Sequence, residues 1–256
     1  MKQLPAGTKV DIDPETGAMK RLSGETRTNP YDLFALEAAL QLREKVGGSV
    51  TVLTMGPPQA EEMMRDAYTM GADDAVILSD RKFAGADVLA TSYALSQGIT
   101  AIGDIDLIIC GKQTTDGDTA QVGPAIAEHL GIPHAAWVSE IVDADSESIQ
   151  VKQDLVSVSQ TSKIPYPCLI TVDKDMCVPR LPSYLLQKQS KDRPVKIMTF
   201  EDMADQNLSK YGLVGSPTAV EKMFAPPEVE KQVYFDGDAK EKTKQLFDVL
   251  VNKKVI

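Results

Sequence analysis

Metal-ligating residues are scarce in this sequence: it has two histidines, His129 and His134, and three cysteines, Cys110, Cys168 and Cys177, with no CxxC spacing. That inventory excludes an intrinsic zinc or iron–sulfur site as an expectation, and an odd cysteine count gives no disulfide framework. Positive charge is also short, with 27 Lys and Arg against 37 Asp and Glu and a formal net charge of −10. Such a balance disfavours nucleic-acid backbones and anionic lipid as partners. No apolar run approaches the roughly 20 residues that a bilayer span needs, and Met1 to Pro5 offers no apolar segment of the kind a secretory signal requires. The expected setting is therefore the cytoplasm. Internal repeats and low-complexity tracts are absent, which sets aside a solenoid.

What remains is an ordinary globular composition, 43% hydrophobic and 25% charged over 256 residues, enough for one large core or two small ones. From Ser49 onward, short apolar runs alternate with longer amphipathic ones, the pattern of βαβ units building a parallel sheet. Strands are expected at Val50–Thr54, Ala75–Ser79 and Asp106–Cys110. Helices are expected at Tyr31–Val46, Gln59–Met70, Asp87–Ile102 and Thr119–Leu130, with Gly47, Gly71 and Gly131 where C-terminal caps belong. The fold class is α/β, a doubly wound, mainly parallel sheet. In the first helix Leu33, Leu36, Ala39, Leu40 and Arg43 recur at three- and four-residue spacings, so this stripe should face the sheet while Glu37 and Glu44 face water.

After Trp137, expected in the core, Ser148–Lys152, Leu155–Gln160 and Cys168–Val172 alternate like strands joined by short turns, so a hairpin should extend the sheet. Residues 179–194 are rich in Pro, Lys, Arg and Gln and read as an exposed arm; Phe200 to Gln206 reads as a short acidic helix, and Ala239–Val251 as a final amphipathic one. The expected division is a nucleotide-binding α/β domain over 1–190 and a C-terminal arm and helix over 191–256.

The run from Asp106 to Pro124 passes from a buried strand through a polar loop into a helix, and strand ends of parallel sheets are where ligands sit. Gly111 and Gly117 allow close backbone approach, and a helix amino end presents unpaired N–H groups. Lys112 adds positive charge, while Gln113, Thr114, Thr115, Thr119 and Gln121 add neutral hydrogen-bonding groups. Asp116 and Asp118 would repel a phosphate, so they are read as caps, as loop-holding acceptors or as partners for hydroxyls. The residues alone leave two alternatives, an anion site and a well-capped turn. Two further junctions, Asn29-Pro30-Tyr31-Asp32 and Met55-Gly-Pro-Pro58, lie at the same edge. Each has a bland reading, as an N-cap beside Pro30 or as a turn. Converging on one crevice, the three describe a nucleotide pocket, with Met55 suited to cover an adenine face.

The block Gly111-Lys-Gln-Thr-Thr-Asp-Gly-Asp-Thr-Ala-Gln-Val122, with Asn29 to Ala39, Met70-Gly-Ala-Asp73, Val178-Pro-Arg180 and Gly212-Leu-Val-Gly-Ser-Pro-Thr218, resembles electron transfer flavoprotein beta subunits over nearly the whole chain. The resemblance implies a Rossmann-like, adenine nucleotide alpha hydrolase-like fold and a larger alpha subunit with its own FAD. It also implies a nucleotide, FAD or AMP, held by residues matching Asn29 to Asp32, Met55 and Gly111 to Gly123, including Ala120 and Val122. The run Thr119-Ala-Gln-Val-Gly-Pro124 resembles the bifurcating members more than those that hold AMP. This implies FAD, with NADH as donor, ferredoxin or flavodoxin and a partner flavin dehydrogenase of acyl-CoA or lactate type as acceptors, and no catalytic nucleophile or acid–base residue. It also implies docking of the partner dehydrogenase on Tyr184, Leu185 and Leu186, against the plain alternative of a solvated loop. A stress-type nucleotide-binding module of similar topology is the remaining alternative, and it would have no use for the tail from Pro179 to Ile256. One departure from the family is that Lys2-Gln-Leu-Pro5 follows Met1 directly, where relatives first run an apolar strand, so the sheet is expected to have a gap or unpaired edge there. The histidines flank a helix end, and the cysteines are read as packing residues.

Overall fold

The computed structural model describes residues 1–6, 11–12, 19–20, 26–219 and 233–256, the two short pairs by their backbone alone. Short strands β1 (Gln3–Pro5), β2 (Asp11–Ile12), β3 (Met19–Lys20) and β4 (Thr26–Thr28) precede α1 (Pro30–Val46). Then come β5 (Thr51–Met55), α2 (Glu61–Met70), β6 (Asp74–Leu78), α3 (Val88–Ile102), β7 (Leu107–Gly111) and α4 (Val122–Leu130). The chain continues through β8 (His134–Ala144), β9 (Ser148–Leu155), β10 (Val158–Pro165), β11 (Cys168–Val172), α5 (Tyr184–Gln189), β12 (Lys196–Met198) and α6 (Ala239–Asn252). It forms two compact units, Met1–Glu221 and Lys222–Ile256.

In the first unit β12, β6 and β5 pair in parallel, as do β7, β11 and β8. The antiparallel β8–β9–β10 meander extends the second set outward. Helices α1 and α2 cover one face, where Leu36, Leu40 and Met64 meet Val52 and Ile77, and Ala35 and Leu42 share a cluster with Ile109 and Ile170. Helices α3 and α4 cover the other, with Ala94 against Val76 and Leu78, and Ile126 against Leu169 and Ile108. The strands alternate their side chains between these two layers, so both faces of the parallel strands are apolar, as a doubly wound sheet requires. The facing edges of β5 and β7 belong to separate hydrogen-bonded sets. Between them the Met1 amino group donates to Leu53 O at 2.6 Å, so the chain's first residues stand at the gap expected from the Lys2–Pro5 departure.

Four expectations need correction. The buried side of α1 is broader than the stripe predicted, taking in Ala35, Ala38 and Leu42, and Glu37 is buried rather than solvated. Its side chain is 4% exposed because Arg180, brought over α1 by the chain after β11, covers it. Helix α4 begins at Val122, not Thr119, since Asp118 and Ala120 take left-handed backbone angles, φ 52° and 54°, that a helix cannot include. The strand expected over Leu155–Gln160 is instead the end of β9, a turn at 156–157 and the start of β10, whereas the arm over 179–194 is exposed as expected, with Ser183 N donating to Thr69 O (2.9 Å) and Arg65 reaching Arg193 O (2.8 Å). Phe200 to Gln206 makes only a single tight turn, Phe200–Asp202, closed by a Thr199–Asp202 capping box.

In the second unit, α6 starts at a capping box in which Asp238 accepts from Glu241 N (2.9 Å) and Glu241 accepts from Asp238 N (3.0 Å). This matches the helix expected over Ala239–Val251; residues 220–232, also part of the expected tail, lie outside the described residues.

Candidate functional site

Asn29 holds the amino end of α1, with Pro30 at the first helical position, yet its side chain makes no cap. The side chain crosses instead to the β7–α4 loop, where Nδ2 donates to Gln113 O at 2.9 Å. Asn29 is fully buried, and its Oδ1 is an unpartnered buried oxygen among the described residues. A buried amide oxygen left without a donor costs about 1–3 kcal/mol and calls for an explanation. Beside it, Asp32 accepts from Lys2 N at 2.6 Å. Gly111 closes β7 against this corner: a Cβ there would stand 2.6 Å from Asp32 Oδ1 and 2.7 Å from the Tyr31 carbonyl carbon, so only glycine fits. The Asn29–Asp32 junction and the loop after Gly111, predicted to converge, therefore do so.

The loop itself turns at Thr115–Gly117 and is exposed from Thr115 to Thr119. Its two aspartates are both engaged. Asp116 takes both oxygens to Lys2 Nζ (2.8 and 2.6 Å) and accepts from Gly117 N (2.8 Å), while Asp118 accepts from the Gln113 amide. Burial pushes the Asp116 carboxyl up, but hydrogen bonds from Lys2 and Thr114 outweigh it and leave the group below its usual range. The carboxylates thus shape the loop, and Thr115 and Thr119 are exposed on it. Asp118 and Ala120 take left-handed backbone angles, and within the loop Gly117 N donates to Asp116 Oδ1 and Asp118 N to Thr114 O (3.0 Å). Gln121 leads into α4 with no side-chain cap, so the first-turn N–H groups of Val122 and Gly123 carry no side-chain acceptor. Gly123 is buried, its Cα packed where a Cβ would lie 2.5 Å from Thr171, and this seats the helix end on β11.

Lys112 points elsewhere. Its Nζ lies 2.8 Å from Asp173 Oδ2 and 4.7 Å from the centre of the Trp137 ring, and its N continues the ladder to Val172 O. Trp137 itself is half-buried at a bulge of β8 with φ 61°, not a core residue as expected, because its N–H is drawn to Thr171 Oγ1 at 3.0 Å. Met55 ends β5 and packs with Val76 and Leu78 in the α3-side cluster. Lys2 was the residue that sequence reasoning missed; nothing in its own neighbourhood signals that it crosses to Asp116.

The remaining candidates have structural surroundings. His129 stands edge-on to Tyr93, ring centres 5.3 Å apart. Burial pushes all three thiols up to about 11, so they stay protonated and unreactive at neutral pH. Among the described residues no group of three His, Cys, Asp or Glu side chains forms a metal cluster, and no helix is long and apolar enough to cross a membrane.

Fold and site together define an α/β protein with its polar loops gathered at the carboxyl ends of parallel strands. Residues 16–204 match the electron transfer flavoprotein domain, and the chain belongs to the electron transfer flavoprotein family. It is 42% identical to the electron transfer flavoprotein subunit beta of Thermoanaerobacterium thermosaccharolyticum, covering 100% of this chain and 98% of that one. It is 40% identical to the acryloyl-CoA reductase electron transfer subunit gamma of Anaerotignum propionicum, over 100% and 98%. Protein FixA of Bradyrhizobium diazoefficiens is 41% identical, over 98% of this chain and 89% of its own. The family role is electron transfer in flavoproteins.

Proposed function

We propose that this chain is the beta subunit of a heterodimeric electron transfer flavoprotein and that it holds FAD between Asn29–Asp32 and the Gly111–Gly123 loop. The observation that carries the nucleotide reading is Asn29, a fully buried amide turned from its helix cap onto Gln113 O, with Oδ1 left to accept from a ligand donor. Loop N–H groups, Thr115, Thr119 and the α4 amino end would hold the pyrophosphate, and Met55 would line the adenine side. Such a set fits a diphosphate because both loop carboxylates already have partners of their own.

Held by Asn29–Asp32 and the Gly111–Gly123 loop, FAD would supply the redox chemistry between a two-electron donor, NADH, and one-electron acceptors, ferredoxin or flavodoxin and, through the alpha subunit, a partner dehydrogenase. The chain's own residues bind and orient; none is assigned a proton. The choice of FAD over AMP rests on Thr119-Ala-Gln-Val-Gly-Pro124 and on relatives of about this length, one an electron-transfer subunit of acryloyl-CoA reductase. Tyr184 and Leu185, exposed on a tethered helix with Leu186 beside them, suit docking of such a dehydrogenase. The test is to co-express the chain with its alpha subunit, denature the complex and quantify the nucleotides released. Two FAD per heterodimer supports the proposal; one FAD with one AMP replaces it by a one-electron carrier with a structural nucleotide.

A further inference from the structure

The sequence offers Lys112 as the cation of the loop, and the structure removes it. Its ammonium is spent on Asp173 at 2.8 Å, the two side chains only 21% and 29% exposed, and it also lies over the Trp137 ring, 4.7 Å from its centre. Reaching a phosphate over Thr115–Thr119 would mean breaking this ion pair and leaving the half-buried Asp173 carboxylate with only the Lys174 N–H as donor (2.8 Å). A second lysine stands on the exposed side of the same loop. Lys2 has its main chain fixed at both ends of the residue, N to Asp32 Oδ2 at 2.6 Å and O from Asn29 N at 2.9 Å. Its side chain is 47% exposed and sits on Asp116, which is 39% exposed.

We propose that Lys2, and not Lys112, is the cation that faces the phosphate of the bound nucleotide, held over the loop by Asp116. This rests on the nucleotide reading given above and adds to it the residue that makes the loop selective for a phosphorylated ligand. An ammonium has three N–H donors; Asp116 occupies two, and the third is available with the side chain free to pivot into solvent. The pair also solves the repulsion that Asp116 alone would exert on an anion, because Lys2 neutralises it before any ligand arrives. Being solvent-exposed, the pair adds little to folding, so substitutions at Lys2 should leave a folded protein.

The contribution is read by comparing two probes that differ only in phosphate, AMP and adenosine, titrated by calorimetry into the nucleotide-stripped complex of the full chain with its alpha subunit. Lys2→Met should weaken AMP about tenfold, the scale of one charge-assisted hydrogen bond, and leave adenosine unchanged. Lys2→Arg should retain AMP, and Lys112→Met should stay within about twofold of the parent for both probes. The assignment is overturned if Lys2→Met binds AMP as tightly as the parent, if AMP and adenosine weaken together as a mere tether would produce, or if Lys112→Met takes the selective loss. A parent complex that binds neither probe sinks the nucleotide reading itself, and the assignment with it.

Discussion

Replacing Arg180 with methionine keeps much of the aliphatic stem and removes one charge, and the cost follows from what Glu37 is left with. Glu37 lies on the buried side of α1 and accepts from Arg180 N (3.0 Å), Nε (2.8 Å) and Nη2 (3.0 Å), with Gln41 as its remaining donor at 2.9 Å. Burial pushes the carboxyl up, and the Arg180 hydrogen bonds more than offset this, holding it below the usual range. In the variant the backbone N–H and Gln41 remain while both guanidinium bonds are lost, leaving a carboxylate 4% exposed without its counter-charge. A fully buried pair broken in this way costs about 3–5 kcal/mol; with Arg180 itself 31% exposed, about 2–4 kcal/mol is expected. Urea unfolding at pH 7 measures it as a lowered midpoint at unchanged slope. The sign with pH also follows: a carboxyl whose folded value is depressed stabilises above its ordinary value and loses that contribution as pH falls through the folded value. The gap between parent and variant should therefore narrow below about pH 4. Glu37→Gln combined with Arg180→Met should recover part of the loss. A midpoint for Arg180→Met equivalent to less than about 0.5 kcal/mol would refute the claim that this pair straps the chain after β11 onto α1.

Gly212→Ala should destabilise by about 2 kcal/mol or more, measured in the same unfolding assay, because φ is 54° and an added Cβ would stand 2.3 Å from Lys82 O; an unchanged midpoint would contradict this. Asp205, bonded first by Lys210 and then by Tyr93, titrates at about 2, so its stabilisation is complete above the ordinary carboxylate value and lost as pH falls toward about 2. Asp205→Asn should accordingly lower Tm at pH 5 and converge with the parent near pH 2; parallel curves would refute the assignment. Gly111→Ala should abolish nucleotide retention, since its Cβ would meet Tyr31 and Asp32 at under 3 Å; a variant purified with a full complement of nucleotide would show that this corner tolerates a side chain.

Much of this was legible in the residues, for identifiable reasons. The three early strands and four helices fell within a few residues of their observed bounds because apolar periodicity and C-terminal glycines are local signals. After α4, β9 and β11 were legible, but the strand expected over Leu155–Gln160 straddles the turn between β9 and β10, and β8 was missed since its bulges near Val138–Asp143 break the two-residue period. The short edge strand β12 carries three residues, too few for any pattern. Glu37 was misread because a carboxylate on a helix looks solvated until a residue 143 positions away covers it. The candidate loop was found from its glycines and threonines, while the roles of its cations were not. Lys112 and Lys2 look equivalent in sequence, and only the tertiary placement of Asp173 and Asp116 separates them.

The most direct test of the central claim is a structure of the heterodimer with its nucleotide bound. The account predicts an adenine nucleotide with its phosphates within hydrogen-bond distance of the Gly111–Gly123 loop and a donor atom on Asn29 Oδ1. A nucleotide seated elsewhere on this chain, or this loop closed on itself in a complex whose flavin lies wholly in the other subunit, would contradict it.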